Sequence, residues 1–139
     1  MADDAIRGSC VCGAVTYAVR PPFLAFQYCH CSRCRKATGS AHATNLFTAS
    51  ERFQWTGGEA HVRRFELSSA KYWCHGFCEL CGSSLPWQTR TGKAFIVPAG
   101  TLDDDPGERP SRNIYWASRA PWYEHAGELD TFEEFPKQA

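Results

Sequence analysis

Apolar and polar positions along this chain alternate in short runs, and nowhere do they repeat at helical spacing for long enough to build a substantial amphipathic helix. The pattern predicts a mainly β fold with irregular loops. Strands are expected at Ala14–Val19, His42–Phe47, Phe53–Trp55, His61–Leu67, Ser84–Gln88, Ala94–Val97 and Asn113–Tyr115. Between them lie Pro21-Pro22, Gly57-Gly58, Gly82-Ser83, Thr91-Gly92, Ala99-Gly100 and the Asp103–Pro110 loop, each with the glycine, proline or Asx chemistry that turns demand. One short helix is expected from Ser32 to Ala37, with Ser32 as N-cap and Thr38-Gly39 as the stop. The chain carries no repeats or low-complexity tracts, and the tail after Phe135 is expected to be loose.

The 139 residues suit a single domain, 1–139, with a modest core. Lys plus Arg equals Asp plus Glu at 15 each, so there is no excess of positive charge for nucleic acid or for an anionic membrane surface. The opening MADDAIRGSC lacks a basic region followed by an apolar run, and no stretch approaches the ~18 apolar residues of a membrane span. A soluble, cytoplasmic protein is expected, with no nucleic-acid or membrane partner; nothing in the pattern speaks to oligomeric state.

Cysteine changes this picture most. Seven of the eight cysteines fall into three tight clusters, Cys10/Cys12, Cys29/Cys31/Cys34 and Cys78/Cys81. In a reducing compartment such spacing reads as metal ligation rather than as disulfides. The CxxC of Cys78 and Cys81, followed by Gly82, forms a knuckle that aims two sulfurs at one point, and Cys10 and Cys12 can supply the other two. Four thiolates make a closed, structural zinc site. The loop C-H-C-S-R-C, Cys29 to Cys34, wraps three thiolates around a second zinc and offers no obvious fourth ligand, which is the pattern of a catalytic site. Such a site suits a sulfur ligand: it can take up a substrate thiol and favour its thiolate form.

Around that loop, Arg35 and Lys36 could anchor a substrate carboxylate, and Thr38 or Ser40 could hydrogen-bond a developing hydroxyl. Arg33 adds a further cation. The bland alternative is that these are solvated surface groups beside a structural metal. Cys74 reads as a free cysteine near the metal, or as a further ligand. His30 and His75 each adjoin a cysteine and could ligate or shuttle protons, although isolated histidines more often pack or hydrogen-bond. Tyr28, Phe47, Trp73, Trp87, Trp116, Trp122 and Tyr123 could line a site, but most are expected in the core. The acidic run Asp103–Asp105 reads as a solvated turn.

The motifs G-S-C-V-C-G-A-V-T-Y, C-H-C-S-R-C-R-K-A-T-G-S, G-F-C-E-L-C-G-S-S-L, A-G-T-L-D-D and R-A-P-W-Y-E, in this order from Gly8 to about Pro136, closely resemble the glutathione-dependent formaldehyde-activating enzyme family. Relatives in that family include centromere protein V. The resemblance implies a small zinc-containing β fold related to a Rab exchange-factor accessory protein. It implies two zinc ions per chain, one structural on Cys10, Cys12, Cys78 and Cys81, one catalytic on Cys29, Cys31 and Cys34. It also implies a carbon–sulfur lyase or synthase acting on adducts of a glutathione-like thiol with a small carbonyl compound such as formaldehyde. At K-Y-W-C-H-G-F the chain departs from the polar residues common in the family. The alternative reading is a zinc-stabilised binding module without catalysis.

Overall fold

The computed structural model describes residues 4–123 and 126–136. Residues 137–139 of the tail, and Glu124 at the end of the fifth motif, lie outside the described residues. The assembly follows from where short apolar strands find partners. Strands β1 (Ile6–Ser9), β2 (Thr16–Val19) and β5 (Phe53–Gly57) pair in the order β1-β2-β5. A second, central sheet has β11-β3-β4-β10-β9, formed by β3 (Ala25–Cys29), β4 (Ala43–Ala49), β9 (Trp87–Gln88), β10 (Ala94–Pro98) and β11 (Arg112–Ile114). Its pairs are antiparallel except for β11 on β3. The third sheet, β6-β7-β8, joins β6 (Val62–Glu66), β7 (Cys74–Cys78) and β8 (Ser84–Leu85). The fold is thus mainly β with one α-helix among the described residues, α1 (Ser32–Thr38), and none of their helices is long and apolar enough to cross a membrane.

Seven of the expected strands are present, with edges shifted by a few residues, but three more were not foreseen: β1, β3 and β7. In β3, Phe26, Gln27 and Cys29 are all buried, so a strand covered on both faces shows no apolar–polar alternation. In β7 the buried positions are Cys74, Gly76 and Cys78, small residues that do not announce a strand. Their size has a cause: a Cβ on Gly76 would lie 2.8 Å from the Leu85 carbonyl oxygen across the β7–β8 pair. The expected single strand Ser84–Gln88 is divided at the buried Pro86 into β8 and β9, which belong to different sheets. Proline has no N–H to give to a ladder, so it suits a point where the chain changes sheets.

The main core packs Tyr17, Val19, Phe26, Leu46 and Val97, flanked by Phe53 and Trp55. Full burial of a side chain such as Leu46 is worth about 1.5–3 kcal/mol. A smaller core contains Cys10, Val15, Cys78 and Leu85, placing two cysteines inside the joint between the first and third sheets. The acidic run does more than turn. Asp104 pairs with Arg7 at 2.9 Å and Asp103 accepts from Ser9 Oγ at 2.8 Å, so this loop fastens the strand that leads into Cys10. The Arg7 guanidinium and backbone N–H hold the Asp104 carboxyl down at about 2.

Gly8, opposite Tyr17 in the β1–β2 register, is needed for close approach: a Cβ there would lie 2.2 Å from Tyr17 Cζ. The Tyr17 ring cannot yield easily, because it is buried and its hydroxyl is 2.6 Å from Thr101 Oγ1. Gly8→Ala is therefore expected to lose about 1–3 kcal/mol, the usual cost of overpacking a core. Urea denaturation should show it, and an unchanged midpoint would contradict this account of the Gly8 contact.

Candidate functional site

Two groups of cysteines come together, and each uses a different local device. In the first, the chain turns at Cys10–Gly13 as it leaves β1 and again at Cys78–Gly82 as it leaves β7. Gly13 N–H donates to the Cys10 carbonyl at 3.0 Å and Gly82 N–H to the Cys78 carbonyl at 2.8 Å. Gly82, at φ 77°, supplies the left-handed residue that closes the second turn. Ser83 ties the turns together: its Oγ accepts from Val11 N–H at 2.9 Å and lies 3.3 Å from Cys81 Sγ. Hydrogen bonds from Ser83 hold the Cys81 thiol down at about 6. The sulfurs of Cys10, Cys12, Cys78 and Cys81 all lie within 4.8 Å of one another.

The second group sits at the junction of β3 and α1. Cys29 ends the strand, Cys31 is the N-cap, and Cys34 falls in the first helical turn. The cap corrects the expectation for Ser32: Cys31 has extended backbone angles, and its Sγ accepts from Cys34 N–H at 3.3 Å. A helix start therefore folds two of the three sulfurs onto one point, and Gly39 ends the helix after Thr38. All three cysteines are buried, again with sulfurs within 4.8 Å of one another. Hydrogen bonding from Cys34 pulls the Cys29 thiol down to about 6, while donation to Cys29 and burial push Cys34 far above the ordinary thiol range. One proton is thus shed easily and another is held between crowded sulfurs.

Both groups fit a soft tetrahedral cation such as zinc. Zn–S bonds of ~2.3 Å require sulfurs roughly 4 Å apart, and the backbone N–H groups of Val15 and Cys34 are already aimed at the sulfurs of Cys10 and Cys31. Among the described residues no additional His, Asp, Glu or Cys joins either group.

A cavity of about 630 Å³ separates the two sites in kind: Cys29, Cys31 and Cys34 line it, and the four-cysteine group does not. Trp73 packs against the cluster that contains the three cysteines, with its indole N–H toward Cys34. Arg33, Lys71 and Arg90 contribute cations to the wall, and among the described residues no Asp or Glu lines it. Arg90 also pins the β6–β7 loop, donating to the carbonyls of Leu67 and Trp73 at 3.1 Å each. Tyr115 faces the cavity at φ 54°, the one positive-φ residue other than glycine among the described residues, with the Arg33 guanidinium 5.9 Å from its ring centre. Such strained backbone collects at binding and catalytic sites.

Of the residues expected to bind substrate, Thr38 lines the cavity, whereas Arg35, Lys36 and Ser40 are not part of its wall. The Thr38 hydroxyl donates to the Cys34 carbonyl at 2.8 Å and accepts from Ser40 N–H at 3.2 Å. Cys74 joins neither metal group; it is buried on the cavity wall, and Arg64 Nη2 donates to its sulfur at 3.2 Å. His30 lies fully buried among the rings of His42, Trp116 and Tyr123, with Nε2 2.8 Å from Asn113 Oδ1. Phe47, Trp73 and Trp87 line the cavity; Tyr28, Trp116, Trp122 and Tyr123 do not. Among the wall residues that the sequence did not single out are Lys71, Arg90 and Tyr115, which reach it from separate stretches of chain.

Comparison with known proteins agrees with this arrangement. The family described as glutathione-dependent formaldehyde-activating enzyme matches residues 5–118. A Halomonas elongata protein, provisionally named a glutathione-dependent formaldehyde-activating enzyme, is 30% identical over 126 residues, 86% of this chain and 80% of its own length. A crystal structure of a Rhodobacter sphaeroides protein superposes with a TM-score of 0.59 at 25% identity, covering 75% of this chain and 97% of that one.

Proposed function

The chain belongs to the glutathione-dependent formaldehyde-activating enzyme family, and from that membership and its cavity we propose that it is a zinc-dependent carbon–sulfur lyase or synthase. It joins a glutathione-like thiol to a small carbonyl compound such as formaldehyde, or runs the same reaction in reverse. The observation that carries this reading is that the three-cysteine group, and not the four-cysteine group, opens onto the cavity.

In this reading Cys10, Cys12, Cys78 and Cys81 hold a structural zinc, and Cys29, Cys31 and Cys34 hold the catalytic one. Zinc held by these three cysteines would supply Lewis acidity that favours thiolate near neutral pH. The remaining work falls to the protein. Arg33, Lys71 and Arg90 give the cavity a positive wall, with no acidic side chain among its described residues, suited to the carboxylates of a peptide thiol. Phe47, Trp73 and Ile96 provide apolar surface that limits water near the reacting carbon. Thr38 keeps the end of α1 closed and has one oxygen lone pair left for a hydroxyl. Arg35, Lys36 and Ser40, next to the loop, would contribute charge and polarity from outside the wall.

In the forward direction the thiol sulfur forms a bond to the carbonyl carbon, the C=O π pair moves to oxygen, and a proton makes the hydroxyl. Orientation in the cavity, which can contribute several kcal/mol, then raises the rate. Exchange NMR with zinc-replete protein, glutathione and formaldehyde is expected to show faster formation and breakdown of the thiol adduct. A panel of thiols, aldehydes and ketones that gains no acceleration would overturn the enzyme reading in favour of the binding module.

A further inference from the structure

We propose that His75 is the acid–base group of this cavity, taking the proton from an incoming thiol and returning it to the carbonyl oxygen as the carbon–sulfur bond forms. The inference rests on the thiol–carbonyl reading above and adds the group that manages its proton. Several observations converge on this residue. Among the described residues, His75 is the one histidine on the cavity wall. His30 and His42 pack against each other away from it, and His61 is engaged with Glu79 at 2.9 Å. With no Asp or Glu on that wall among the described residues, and with the cysteines of the loop assigned to metal, His75 is the described wall residue whose ordinary pKa, about 6.5, suits proton transfer near neutrality.

Geometry prepares it for that work. The imidazole stacks between Trp73 and Phe77, with ring centres 6.2 and 5.9 Å away and planes inclined by 14° and 19°. Trp73 in turn packs against the cluster that contains the three cysteines, so its indole links that cluster to His75. Phe65 sits opposite His75 across the β6–β7 pair and braces the strand. Among the described residues neither imidazole nitrogen has a hydrogen-bond partner, which leaves both for a ligand. The charged and titratable groups around it are Cys74 beside it, Arg33, Lys71 and Arg90 on the wall, and Arg64 and Glu66 flanking Phe65 on β6. Burial lowers the His75 pKa, so the ring is neutral and basic at neutral pH.

The bookkeeping closes with one proton. Neutral His75 accepts the S–H proton, sulfur bonds to the carbonyl carbon, and the oxygen that receives the π pair takes the proton back. Nothing is oxidised or reduced. In reverse, the hydroxyl proton passes to His75 as the carbon–sulfur bond breaks, and then to the departing sulfur.

The test is His75→Gln, which keeps hydrogen-bonding capacity and loses titration. The variant is expected to retain both metal ions and its affinity for glutathione, to lose about 10²–10⁴-fold in rate, and to regain rate with added imidazole. Wild-type rate should rise with pH through a pKa below the ordinary histidine value, and this acid limb should vanish in the variant. A variant with wild-type rate and the same limb overturns the proposal. A second measurement needs neither the variant nor turnover: glutathione added to wild-type protein labelled in its histidine rings should shift the His75 resonances. If glutathione perturbs the spectrum of cobalt-substituted protein while those resonances stay fixed, the proposal falls even though the site binds thiol. Wild-type protein without any acceleration would instead remove the reading on which the proposal stands.

Discussion

Cys78→Ser protein is expected to accumulate poorly, to bind less than its full complement of metal, and to lack a cooperative thermal transition. Cys78 is fully buried in the smaller core with Cys10, Val15 and Leu85, at the end of a strand paired on both sides. A structural zinc on four thiolates contributes apparent binding energies of about 10–16 kcal/mol. Domains of this size have a total stability of about 5–15 kcal/mol. Weakening that site by one ligand therefore threatens the whole fold rather than one loop. Serine also leaves a hydroxyl in a pocket built for sulfur, without a partner to offset its burial. Circular dichroism with metal analysis would decide the matter. Soluble Cys78→Ser with unchanged melting and metal content would sink the structural assignment.

The same residues show what sequence can and cannot carry. Cysteine spacing survives translation into three dimensions because CxC, CxxC and CxCxxC constrain sulfurs locally: a turn at Gly82 or a helix cap at Cys31 is enough. The partnership of Cys10 and Cys12 with Cys78 and Cys81 spans most of the chain, yet four thiolates have few ways to make one tetrahedron. Strands were legible where one face meets solvent or a turn residue marks the end. They were not legible in β3, covered on both faces, or in β7, whose buried positions are cysteine and glycine. The cap was misplaced by one residue because serine is a familiar N-cap and cysteine is not, although a sulfur accepted the N–H. The cavity wall was the least legible part. Lys71, Arg90 and Tyr115 reach it from three separate stretches of chain, and only tertiary packing puts them beside α1.

Cys31→Ser offers the sharpest separation of chemistry from folding. Cys31 has two tasks: it caps α1 through Sγ, and it belongs to the three-cysteine group. Serine is among the best N-cap residues, so its hydroxyl can take over the bond from Cys34 N–H, whereas a capless residue would cost about 1 kcal/mol. As a metal ligand, a neutral hydroxyl is a poor replacement for thiolate on a soft ion. The variant should therefore keep the main core, which is built on Tyr17, Leu46 and Val97 and contains no residue of α1, and melt close to wild type. It should lose one of two metal ions and fall on the order of 10³-fold or more in adduct exchange, the scale seen when one member of an interdependent catalytic group is removed. Metal analysis, melting and exchange NMR on the same sample distinguish the possibilities. A collapse like that of Cys78→Ser would make the three-cysteine site structural, and retention of both metal ions with full activity would remove Cys31 from the site.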